Sequence, residues 1–78
     1  MMTQKEWSDV FASNLIDILE EKGMTQAQLA RDADLSKSRI NDYINGNVIP
    51  SLPAAINMAY ALDMEVSDLI DFGERVNR

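Results

Sequence analysis

Lys37, Ser38, Arg39, Asn41, Asp42 and Asn45 crowd one short stretch of the chain, with Gln26 a little upstream. Their shared chemistry is hydrogen bonding rather than catalysis. Lys can donate to guanine O6 and N7, Ser can meet either member of a base pair, Asn can pair with adenine or a phosphate, and Asp can accept from cytosine N4. The chain has no His and no Cys, so disulfides are excluded and the usual zinc and haem ligands are missing. Asp and Glu are plentiful, but no Gly-rich phosphate loop or paired-carboxylate motif specifies a reaction centre. Neither catalysis nor a cofactor, metal or small-molecule substrate is expected, and the carboxylates read as solvated helix faces.

Two short helices joined by a tight turn must position these side chains. Thr25 can take a free amide while Gln28 reaches back, which starts a helix that ends near Asp32 or Ala33. Ser36 caps the next helix, through about Asn45, with Leu35 placed as a hydrophobic staple and Ile40, Tyr43 and Ile44 facing inward. Bringing two helices together steeply requires a small residue at their closest approach, supplied by Ala30, and a turn residue tolerant of positive φ, supplied by Asp34. Upstream, the capping-box pair Thr3 and Glu6 and the periodic Trp7, Phe11, Leu15, Ile18 and Leu19 predict a helix from about Gln4 to Lys22, stopped by Gly23. Downstream, Ser51 caps a helix with Pro53 in its first turn and Ala55, Ile56, Ala59, Tyr60 and Leu62 as its buried stripe. A last short helix is expected around Val66 to Phe72, carrying Leu69 and Ile70. Nothing alternates with period two for long enough to suggest a strand, so the fold class is all-α.

At 78 residues, with 46% hydrophobic and 26% charged residues and no repeat or linker, the chain is one globular domain over 1–78. The helix-turn-helix unit occupies about 25–45, and residues 1–6 and 73–78 are expected to be flexible ends. No apolar run approaches the roughly 20 residues needed to span a bilayer, and no signal-peptide pattern opens the chain. A soluble cytoplasmic protein is expected.

In order and spacing, Thr-Gln-x-x-Leu-Ala at 25–30, Leu-Ser-x-x-x-Ile at 35–40, Ile-Asn-Gly at 44–46, Pro50-Ser51 and Ala61-Leu62 resemble the Cro/C1-type helix-turn-helix family of phage and bacterial repressors. The resemblance spans about Leu15 to Leu69. It implies a compact five-helix, lambda-repressor-like bundle whose third helix enters the DNA major groove, often as a homodimer on a palindromic operator. It places Lys37, Ser38 and Asp42 where recognition side chains meet base edges, with Asn41 close enough to contribute. Gln26 matches the family's phosphate-contacting Gln, and Arg39 and Asn45 are further phosphate ligands from the helix flank and end. The bland alternative for each is a solvated polar residue on an exposed face. It weighs most for Asp42, because a carboxylate near phosphates is repelled unless it finds a cytosine amino group.

The sequence also departs from the family. An Arg late in helix 1 and a Glu before the glycine of helix 3 commonly form an ion pair; here Leu19 and Ile44 replace both halves and are expected to touch. The following loop, usually basic, reads Asn47-Val48-Ile49-Pro50, with Val48 and Ile49 expected to fill the gap between helices 3 and 4. If exposed, they would form an apolar patch for a partner. The formal charge of −6 is distributed unevenly: Met24 to Pro50 holds three basic and three acidic residues, 3 − 3 = 0, and the remainder 4 − 10 = −6. The acidity therefore lies outside the reading unit. The expected function is a sequence-specific DNA-binding regulator, repressor-like, with double-stranded DNA as partner and no membrane. The alternative is a protein-interaction adaptor, of antitoxin or antirepressor type, on the same fold.

Overall fold

The Thr3 hydroxyl accepts from the Glu6 amide at 3.1 Å, while the Glu6 carboxylate accepts from the Thr3 amide at 2.8 Å. This reciprocal cap starts helix α1 (Gln4–Lys22) in a computed structural model that describes residues 1–71. Residues 4–6, expected within a flexible end, form the first turn of that helix. Gly23, at φ 63°, closes it in the left-handed region. Four further helices follow: α2 (Gln26–Asp32), α3 (Lys37–Ile44), α4 (Leu52–Ala61) and α5 (Val66–Leu69). Among the described residues there is no strand, and no helix is long and apolar enough to cross a membrane.

One core joins the helices. Phe11, Leu15, Ile18 and Leu19 of α1 meet Leu29 and Ala30 of α2, Ile40 and Tyr43 of α3, Met58 and Ala59 of α4, and Leu69 of α5. Each large side chain buried there contributes about 1.5–3 kcal/mol of transfer free energy. Phe11 and Tyr43 cross edge to face with ring centroids 6.1 Å apart, and Trp7 is half-buried. α3 packs on α1 and α2, whereas α4 packs on α2 and α5.

Three expectations are corrected. The inward stripe of α4 is Ala54, Ala55, Met58, Ala59 and Leu62, while Ile56 and Tyr60 are exposed. Met58 sets this phase, and Tyr60 two residues on points roughly 200° away. Val48 and Ile49 are exposed rather than buried between α3 and α4, because α4 docks on α2 and α5 and does not close against α3. α5 stops at Leu69, with Leu69 buried and Ile70 exposed. There the buried Asn14 amide donates to the carbonyls of Leu69 (3.0 Å) and Asp71 (2.7 Å), satisfying acceptors at the helix end. Phe72 and the expected loose end at 73–78 lie outside the described residues.

Candidate nucleic-acid interface

The reading unit is built from one reciprocal cap, one hydroxyl cap and one strained turn. Thr25 and Gln28 close a capping box at 3.1 Å and 2.8 Å, so α2 begins where the sequence places it. Leu29, Ala30 and Ala33 are buried, and the small Ala30 and Ala33 let α3 approach closely. The chain then turns through Asp34 at φ 57°, while the Leu35 amide returns to the Ala30 carbonyl at 2.9 Å. Asp accepts this left-handed geometry at modest cost. Half-buried Leu35 packs against the core, and the Ser36 hydroxyl accepts from the Arg39 amide at 3.1 Å to start α3.

Ile40 and Tyr43 are buried and Ile44 packs against the core, which fixes the rotation of α3. At roughly 100° per residue the direction opposite this anchor falls on Ser38, with Asn41 and Asp42 on either side and Lys37 and Arg39 at the margins. The structure agrees: Lys37, Ser38, Arg39, Asn41 and Asn45 are exposed, and Asp42 and Gln26 half-buried. Among the described residues, none of these side chains makes an internal hydrogen bond or ion pair. The face is therefore both presented and uncommitted. Its charged groups are Lys37, Arg39 and Asp42, set among uncharged Ser38, Asn41 and Asn45, so it offers both donors and acceptors.

Leu19 and Ile44, expected to touch, lie in one region of the molecule. Leu19 is buried, Ile44 packs against the same core, and both line one groove with Ile16 and Met24. An apolar exchange of this kind leaves no unpaired charge below α3. Sequence reasoning missed a tie just past the same end of α3. Gly46, at φ 71°, is buried, its carbonyl accepts from Lys5 Nζ at 3.4 Å, and Lys5 also pairs with Asp9 at 3.0 Å. A Cβ at Gly46 would lie 3.0 Å from Asp9 Oδ1. This latch joins residues 41 positions apart, and no local signal could have revealed it.

Comparison with known proteins agrees with this geometry. The helix-turn-helix family model matches residues 15–69. The crystal structure of the restriction-modification controller protein C.AhdI from Aeromonas hydrophila superposes with a TM-score of 0.74 at 30% sequence identity, covering 77% of this chain and 91% of that one. No curated protein matches the chain.

Proposed function

The chain belongs to the helix-turn-helix family, in its Cro/C1 branch, and we propose that it regulates transcription by laying α3 in the major groove of an operator. It is a sequence-specific DNA-binding transcriptional regulator. The observation that carries the mechanism is the outward face of α3, whose polar side chains have no partner among the described residues although the opposite face is locked into the core. Lys37, Ser38, Asn41 and Asp42 read base edges, and Gln26, Arg39 and Asn45 hold phosphates. The protein acts in the cytoplasm by occupying its site, repressor-like and without a catalytic step. The likeness to a protein named as a restriction-modification controller supports the regulatory half of this reading. The working unit is a homodimer, with the two copies of α3 meeting half-sites about 34 Å apart on one face of the duplex.

Selection from random duplex DNA at low salt tests the mechanism. It should enrich a two-fold symmetric site bound at least about 10³-fold more tightly than random duplex. If a dimeric sample enriches nothing, the reading fails. The exposure of Val48 and Ile49 would then favour a protein-interaction adaptor on the same fold.

A further inference from the structure

The end of α3 has no cation of its own. From Tyr43 to Leu62 the sequence carries no charged residue, and the last turn of α3 holds no basic side chain. Yet phosphate is to be met there. α3 has 8 residues and is about 12 Å long, about the width of the major groove, so a helix laid in the groove ends beside a wall of phosphates. Positive charge for that end must come from elsewhere in the chain. The fold brings Lys5, whose Nζ donates to the Gly46 carbonyl at 3.4 Å, one residue past Asn45. Residue 5 precedes the 15–69 stretch that the family model matches, and it reaches α3 because α1 begins ahead of that stretch. We propose that Lys5 is a further phosphate ligand, standing in for a basic loop that this chain lacks.

The ammonium is held in place but not used up. Its side chain is 70% exposed, and of its three protons the Gly46 carbonyl takes one and Asp9, at 3.0 Å, another. The Asp9 side chain is 58% exposed, and an ion pair open to water on both sides binds loosely, so a phosphate oxygen can share the cation. Gly46 and Asp9 also restrain a flexible four-carbon stem against α3 before DNA arrives, which lowers the entropy lost on contact. The same carboxylate repels the phosphate, so each copy gains one modest contact rather than a strong one. The plainer role is a latch that serves folding alone, since the ammonium meets the partial negative charge at the end of α3. Salt separates the two roles. A latch has no counterion signature in DNA binding, whereas a phosphate ligand displaces a counterion from the duplex.

This inference rests on the DNA reading, and the duplex selected by the wild-type chain is its probe. Lys5→Met should lower the slope of log K against log salt by about 0.9 per bound copy, on that duplex and on random duplex alike. Its affinity deficit should then be about 3-fold larger at 50 mM than at 200 mM salt for each copy, with the preferred sequence unchanged. Lys5→Arg keeps the charge and should keep the slope. In the wild-type chain the selected duplex should also protect Lys5 from an amine-acetylating reagent, read by peptide mass spectrometry. That measurement stands even if Lys5→Met fails to fold. A salt slope that Lys5→Met leaves at the wild-type value overturns the proposal, whether or not affinity falls, and leaves Lys5 a latch. So does a Lys5 acetylated as fast on the duplex as off it. Both outcomes leave the DNA reading standing, whereas a wild-type chain that selects no duplex sinks that reading and this contact with it.

Discussion

In the proposed interface Lys37 and Gln26 would meet DNA with different consequences. Lys37 opens α3 on its exposed side and donates where guanine accepts, so its loss removes information about one base pair. Lys37→Ala should relax preference at that position and cost about 1–3 kcal/mol on the best site. Gln26→Ala should weaken all duplexes alike, and fluorescence anisotropy on the selected site and its single-base variants separates the two patterns. In the proposed interface Asp42 would work by exclusion: a carboxylate is repelled by phosphates and rewarded only by a cytosine amino group. Asp42→Ala should therefore raise affinity for random duplex while lowering discrimination at one position in the same titrations. Gly46 belongs to the scaffold instead. Gly46→Ala combines the strain of φ 71° with a Cβ 3.0 Å from Asp9 Oδ1. A loss of about 1–2 kcal/mol is expected, read as a fall of roughly 4–16 °C in thermal midpoint for a domain of this size.

Among the elements, those started by Ser or Thr side-chain caps were legible in the sequence to the residue. Thr3 with Glu6, Thr25 with Gln28, and Ser36 and Ser51 mark the starts of α1 to α4, and in the structure each accepts the amide its position predicts. The presented face of α3 was legible for a related reason, since Ile40, Tyr43 and Ile44 contrast sharply with the polar residues between them. The rotation of α4 was not, because Leu-Pro-Ala-Ala-Ile-Asn-Met-Ala-Tyr-Ala lacks a charged face to mark the outside. Either stripe was chemically acceptable, and only docking on α2 and α5 selects Met58 over Tyr60. The end of α5 was equally hidden, since it depends on Asn14, 55 residues away from Leu69. Asn14→Ala should strand a carbonyl acceptor at that end and cost about 1–3 kcal/mol. Denaturant unfolding measures this loss, while the pattern of operator preference should stay unchanged because α5 does not form the reading face.

For the molecule as a whole, the net charge of −6 opposes a polyanionic ligand less than its size suggests, because of where it lies. The reading unit is neutral, and carboxylates elsewhere are screened over a Debye length of about 8 Å at physiological salt. On the proposed reading the protein would tolerate DNA without strongly attracting it. The loop after α3 offers exposed Val48 and Ile49 where the family resemblance implies basic side chains, so on the proposed reading sequence-independent binding would be shallow and selectivity would depend on α3. Restoring one cation should reverse part of that balance. Val48→Lys replaces an exposed apolar side chain, so the fold should be unaffected. Each added phosphate contact steepens the dependence of log K on log salt by about 0.9. In a two-fold dimer both loops contribute, giving a steepening of roughly 1.8 for the operator and for random duplex alike. Affinity should rise on both, most at low salt, without a change in the preferred sequence. A salt slope unchanged from wild type would place this loop away from the backbone and remove the shallow-attraction account of the charge.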